Sequence, residues 1–546
     1  MNDRDSVRLG DEQVQRYIAD GFVVLDAGLP ADFHAQVVDE LHFAMRHETP
    51  LPGDNLLPRI PAMERLLSAP AVRGGMESLL GPEFAWAPHR FPHNSEPLAN
   101  AKALADAEAF DPFANQPAMG RGSISGSGWH QDGHSRAGRS RWHTFRAANL
   151  FYFPQETPLE MGPTRLLAGS HLYANLAGVV REQVFMRHMP AGSVVIADFD
   201  LGHAGAPNRT AMTRYMLKFV GLRQGNPAEA AWDHRDPAWR TPSGLHTPHD
   251  LPQAWTSLWN WLRGVPRTHG VQARVDTEAA TLVKGFDSTD QGERLAALYD
   301  LVAMGDAAVP ALVEALLASA GCDRHVSPPQ SDPAFHGASR DHRQRGFSHR
   351  QFTPEDSAVA LGAIGEPALA DLLALLAHDD PWIRMNAAYA IGEADPVGGH
   401  AERVGALLDE PLDAVVRVAI DALCCQDACG PDVVRRLHRL LTDDVAGWHA
   451  PAMGAQWCIR DQVRYVAAWA LTGYATRPQP PTGVEKALIA ALGDDTGYTP
   501  AVACEGLKRL ATPSALMAAI DYLETYRWDP VHHRFWRAMV EARAAA

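Results

Sequence analysis

The sequence predicts a chain of two unlike parts, an α+β unit of mostly antiparallel strands followed by an all-α solenoid. Short runs rich in aromatic and β-branched residues, each bounded by turn formers, recur as far as Leu222. From about Thr281 the texture changes to Ala- and Leu-rich segments that resemble one another. Composition agrees with two to four folded domains: 546 residues with 46% hydrophobic and 21% charged side chains exclude wholesale disorder and rod-like repeats.

In the first part, apolar periodicity predicts helices near Asp11–Asp20, Pro30–Arg46 and Ala62–Leu80. Strands are predicted at Gly21–Leu25, Ala148–Phe153, Gly192–Phe199 and Arg214–Leu222. This gives a domain over 1–228, a linker or junction over 229–280, and a helical domain over 281–546. The aromatic stretch AWTSLWNWLRG (254–264) has enough apolar area to glue the two domains together. In the helical domain, segments 293–317, 355–376, 383–396 and 463–475 share small residues at helical spacing, with a weaker copy at 415–427. Alanines let neighbouring helices approach closely, and leucines supply the face each pair must bury. Gly321–Gln351, rich in Pro, Ser, Arg and His, interrupts the first two repeats as an inserted loop; a loop of that length is unusual in a compact domain, so the alternatives are that it packs on the first domain or stays mobile. Arg384, Ala387, Ala388, Ala390 and Ile391, with Arg464, Ala467, Ala468, Ala470 and Leu471, are the positions at which this domain resembles HEAT-like repeats.

A formal net charge of −16 argues against nucleic acid and anionic membrane as partners, since both need clustered cations. Six cysteines, all beyond residue 321, are too sparse for a disulfide framework. With no signal-like N-terminus and no long uncharged apolar run, the expected location is cytoplasmic.

The densest chemistry lies in GSGWHQDGH (126–134) and DFDLGHAGAPNRT (198–210). Two imidazoles and a carboxylate form the facial triad that holds Fe(II) and leaves three positions open. In an extended strand His130 and Asp132 share one side while Gln131 points away; His203 would be the third ligand.

These motifs do not stand alone. With DGFVVLDAGLP (20–30), WHQDG (129–133), EMGPTRLLAGSH (160–171) and the final strand pair, the first 230 residues resemble the phytanoyl-CoA dioxygenase-like family of iron and 2-oxoglutarate oxygenases. The resemblance implies a double-stranded β-helix (jelly-roll, cupin-like) and makes His130, Asp132 and His203 both the catalytic and the metal residues. It implies Fe(II), 2-oxoglutarate and O2 as cofactor and co-substrates. Arg214, eleven residues beyond His203, would clamp the distal carboxylate of 2-oxoglutarate, with Asn208 and Thr210 beside it. A further co-substrate contact would come from Arg90 or His93, on the strand before the first metal motif. Ala168 and Gly205 depart from the usual proline and serine of the family.

The implied reaction is hydroxylation of a C–H bond of a small organic molecule, with release of succinate and CO2. Desaturation, cyclisation and demethylation share the same first step, and Asp132 disfavours halogenation. The alternative is a catalytically silent scaffold whose HEAT-like repeats bind a protein partner. Arg136, Arg139 and Arg141, just past the metal motif, would suit an anionic group on the substrate if they line the pocket mouth. Arg209 is the rival to Arg214, His171 reads as a structural turn residue, and Cys424, Cys425 and Cys429 lack paired metal spacing.

Overall fold

The computed structural model describes residues 6–47, 56–98, 128–133, 139–266, 276–336, 341–453 and 457–527. Its first part carries strands β1 (Phe22–Asp26), β2 (Ala85–Ser95), β3 (Arg139–Ser140), β4 (Ala147–Phe153), β5 (Arg165–Leu167), β6 (Val184–Phe185), β7 (Ser193–Asp198), β8 (His203–Ala204) and β9 (Arg214–Leu222). The larger sheet runs β1-β7-β4-β9-β2 with every neighbour antiparallel. A smaller sheet, β6-β5-β8, is extended at its edge by a bridge between His203 and His130.

Alternation along the strands sorts their side chains into two cores. Phe22, Phe151, Phe153, Val195, Ala197 and Met216 of the larger sheet pack with Leu166 and Ala168 of the smaller one. Leu150, Tyr152, Val194, Ile196, Leu217 and Phe219 point the other way, into the core shared with the N-terminal helices. Helices at Asp11–Asp20 and Ala31–His47 follow the predicted periodicity, but 62–80 divides into Met63–Leu67 and Pro70–Leu80. Pro70 lacks an N–H to continue a helix and opens a new one at its first turn.

The second part is helical, and every predicted repeat segment falls on helices. Asp356–Ile364 packs on Pro381–Ala394, which packs in turn on Asp413–Cys424, Ile459–Ala475 and Tyr498–Leu510 in sequence. Small residues set the spacing: a Cβ on Gly392 would stand 2.8 Å from the Ala422 Cα. The helical stretch Gln291–Leu317 has the length and mean hydropathy of a membrane span, but Asp300, Asp306 and Glu314 interrupt it and it is mostly buried among its neighbours.

The junction is packed on both sides. Asp11 accepts hydrogen bonds from the Trp232 indole (2.6 Å) and from the Arg235 and Asp236 amides, and Asp20 accepts from the His246 and Thr247 amides. Helix Pro252–Leu262 buries Trp255, Leu258 and Trp259 between the helices Asp11–Asp20 and Gln291–Met304. Residues 267–275 lie outside the described residues.

The inserted segment also packs on the first part. It forms β10 (Gly346–Phe347) and leads into β11 (Gln351–Thr353), which runs parallel to β3. Around this seam Ser140 donates twice to Asp421 (2.7 and 3.0 Å), and Glu393 accepts from Thr144 (2.7 Å) and pairs with Arg146 (2.9 Å). Trp142 stacks on Tyr389 with ring centroids 4.2 Å apart.

Two histidines of the first part are buried in the neutral form. Burial, aided by the nearby His143, pushes His171 down to about 3, and burial with the Arg294 charge pushes His143 to about 4. Below the unfolded value of 6.5 the unfolded chain binds protons that the folded chain refuses, so stability is lost as pH falls from 6.5. At pH 5 each should cost about 2 kcal/mol relative to pH 7.5. Urea titrations at the two pH values, with His171→Gln flattening the difference, check this.

Candidate active site

The smaller sheet brings the metal motif together. His130 and His203 exchange backbone hydrogen bonds of 3.1 and 2.9 Å, which sets their imidazoles side by side at 4.4 Å between centroids. Asp132, two residues on, turns back to the same side. One ligand atom from each of His130, Asp132 and His203 lies within 4.8 Å of the others, and this is the one such His/Cys/Asp/Glu group among the described residues. Gln131 points away, donating to the Ser170 and Tyr173 carbonyls at 3.1 Å.

Second contacts orient each ligand. His130 Nδ1 lies 3.1 Å from the Gly128 carbonyl and His203 Nδ1 lies 2.9 Å from the Leu201 carbonyl, leaving each Nε2 for a metal. Burial pushes His130 down to about 3, helped by the neighbouring His203, and burial lowers His203 as well, against the pull of the Asp132 carboxylate. Burial alone would raise the Asp132 carboxyl, but Lys218 and the two imidazoles outweigh it and hold it well below the carboxylate range. All three groups are therefore in the protonation state that a metal requires.

Two neighbours of Asp132 escaped the sequence reading. The Lys218 ammonium of β9 contacts its Oδ2 in a short ion pair, and the Asn149 amide of β4 donates to the same oxygen at 3.0 Å. Each is a polar residue flanked by apolar ones, in MLKFV and ANLF, and that pattern was the available signal. Lys218 also lies 5.9 Å from the Phe151 ring centroid and 6.0 Å from that of Phe199.

Arg214 stands on the same face of β9 as Lys218 and is 5% exposed. Its Nε and Nη1 are buried without a partner among the described residues, and burial lowers it to about 10. A guanidinium so placed is a binding site for an anion. Arg209, the rival, is exposed at the surface.

The other expected contacts fare differently. Asn208 and Thr210 are used by the turn before β9: the Asn208 amide donates to the Ser95 and Met212 carbonyls, and the Thr210 hydroxyl donates to Asn208. Register puts Arg90 opposite Phe219, on the outer face of β2, whereas His93 lies opposite Met216 on the face that carries Arg214. The His93 Nε2 is buried without a partner among the described residues, and burial with the Lys218 charge keeps the ring neutral. β2 thus offers His93, and not Arg90, to the site. Arg141 does not line a pocket mouth: it is buried, ion-paired to Asp200 (3.1 Å) and bonded to Gln351 (2.5 Å). Arg136 and the Arg139 side chain lie outside the described residues. His171 contacts the Ile18 carbonyl (3.1 Å) and takes no part in the triad. Cys425 donates to the Asp421 carbonyl, and all six cysteines are free.

Among solved structures, the non-heme monooxygenase ThoJ in its apo form is similar over 43% of this chain and 86% of its own, at 17% identity and a TM-score of 0.31. The non-heme alpha ketoglutarate dependent epimerase SnoN from nogalamycin biosynthesis is similar over 39% of this chain and 83% of its own, at 18% identity and 0.30. EctD from S. alaskensis is similar over 45% and 88%, at 18% identity and 0.31. No curated protein matches the chain. Residues 79–216, the span that holds His130, Asp132, His203 and Arg214, match the phytanoyl-CoA dioxygenase (PhyH) family, and the His-Asp-His donor set is consistent with Fe(II) and 2-oxoglutarate.

Proposed function

We propose that the protein is a non-haem Fe(II)- and 2-oxoglutarate-dependent dioxygenase that hydroxylates a C–H bond of a small organic substrate. The observation that carries this reading is the buried Arg214 guanidinium, without a partner at two nitrogens among the described residues, on the β9 face that also reaches the His130, Asp132 and His203 cluster. A clustered donor triad alone binds a metal; a buried anion clamp beside it adds the co-substrate.

His130, Asp132 and His203 would hold the iron, and Arg214 would receive the distal carboxylate of 2-oxoglutarate, with His93 alongside. When bound, the metal and 2-oxoglutarate activate O2 for hydrogen abstraction from the substrate, with release of succinate and CO2. The chain's own task is geometry. Lys218 and Asn149 grip one oxygen of Asp132 and leave the other for the metal. Phe151 and Phe199 enclose this corner and exclude water. The helical part, read as HEAT-like, buttresses the segment between the metal motif and β4, and the free cysteines suit a cytoplasmic setting.

The test is succinate formation by the full chain with Fe(II), 2-oxoglutarate and O2. Arg214→Lys should raise the apparent KM for 2-oxoglutarate about tenfold or more, because a point ammonium cannot reproduce a two-pronged carboxylate contact. Arg209→Lys should leave it unchanged. Absence of iron-dependent succinate in the parent protein would reject the reading.

A further inference from the structure

The site carries more positive charge than the proposed chemistry uses. A divalent metal, the Asp132 carboxylate and a doubly charged 2-oxoglutarate sum to one negative charge, and Arg214 cancels it. Lys218 is then a surplus cation, buried in the same barrel and touching a carboxylate already committed to the metal. The nearest other acids do not balance it. Asp200 is ion-paired with Arg141, and Asp198 is pushed well above the carboxylate range by burial and the Asp200 charge, which keeps it neutral. With Asp132 shared between Lys218 and the metal, the loaded site holds one positive charge in excess, and a buried excess charge favours the arrival of a further anion.

A second cation is delivered to the same corner by the helical part. Gly133 follows the metal ligand Asp132, and Arg350 lies directly on it: a Cβ on Gly133 would stand 2.4 Å from the Arg350 Cγ and 3.0 Å from its Nε. The turn that places Arg350 is well anchored. Gln462 donates to the His349 carbonyl at 2.7 Å, the Ser348 hydroxyl donates to the Phe335 carbonyl at 2.9 Å, and Gln351 begins the strand paired to β3. The inserted segment therefore brings a guanidinium to the rim of the metal site, over a glycine that leaves room for it.

Resting on the function proposed above, we infer that the primary substrate carries an anionic group, received by Lys218 inside the barrel with Arg350 of the helical part at its rim. The anionic substrate expected from the arginines after the metal motif is thus kept, but its recognition moves to two residues that no sequence motif marked. The helical part then contributes a substrate-positioning residue as well as support.

The test uses the full chain loaded with Co(II), whose visible absorption reports 2-oxoglutarate binding and then occupancy of the neighbouring space without turnover. Hexanoate and hexanamide are matched in size and differ in charge. With 2-oxoglutarate bound, hexanoate should perturb the spectrum saturably and hexanamide should not. Arg350→Met should weaken hexanoate about tenfold, the scale of one lost charge-assisted hydrogen bond, while 2-oxoglutarate binding is kept; Lys218→Met, measured at saturating Co(II) because it also removes a partner of Asp132, should weaken hexanoate by a similar factor. Lys218→Arg should restore much of the loss. An equal response to both probes, or to neither, overturns the inference alone. Loss of 2-oxoglutarate rather than hexanoate binding in Lys218→Met also overturns it, by assigning Lys218 to the co-substrate. If 2-oxoglutarate leaves the Co(II) spectrum of the parent protein unchanged, the proposed function itself falls.

Discussion

Asp132→Ala is expected to lose metal binding and stability together. Removing even an outer partner of a metal ligand costs about 10–100-fold in affinity, so deleting the carboxylate itself should cost at least ~100-fold and abolish iron-dependent turnover. The second effect comes from Lys218. Its ammonium is buried against Asp132, and cutting away one partner of a buried ion pair costs about 3–5 kcal/mol. Adding Lys218→Met should recover the stability without recovering the metal. His130→Ala and His203→Ala should lose the metal with little of this penalty, since neither strands a charge. Urea midpoints of the metal-free proteins check the prediction, and an Asp132→Ala midpoint equal to that of the parent would overturn it.

Truncation near residue 275 should cost more still. It strips Glu393 from Arg146, Gln351 from Arg141, Asp421 from Ser140 and the Tyr389 ring from Trp142. Arg146 loses its counter-charge, and an apolar face that includes Trp142 and Trp259 is opened to water. The truncated chain should be recovered only as aggregate. In the full chain the single change Glu393→Ala should lower stability by about 3–5 kcal/mol, read as a lower urea midpoint. A soluble, monomeric truncated protein that melts with the parent would show that the two parts do not depend on one another.

Much of the fold was legible because its signals are local. β9 begins and ends at the predicted residues, Arg214 and Leu222, since alternating large apolar side chains mark a buried strand by themselves. His130, Asp132 and His203 were legible for a different reason: a His-x-Asp pattern is weak in a chain with 25 histidines, and it was the order of the motifs around it that singled these three out. The missed features depend on distant pairings. Whether β2 shows Arg90 or His93 to the site is fixed by its register against β9, which no property of 85–95 specifies. Lys218 carries no motif of its own, and its role depends on Asp132, 86 positions earlier, lying beside it. β3 and β11 are too short to carry any periodicity, so the seam between the two parts left no trace in the sequence.

That seam also sets a schedule for synthesis. The partners of Ser140 and Arg146 lie 281 and 247 residues further along the chain. At ~5–20 residues per second, the ribosome needs ~15–60 s after making Ser140 before Asp421 exists to meet it. During that interval the nascent first part holds the metal motif, but the strand after it has no β11 to pair with and Trp142 has no ring to stack on. What waits for the helical part is therefore the segment from Ser140 to Arg146, whereas His130 is held by its bridge to His203 within the first part. The late closure also joins the halves into one cooperative unit, so a single unfolding transition should report on both.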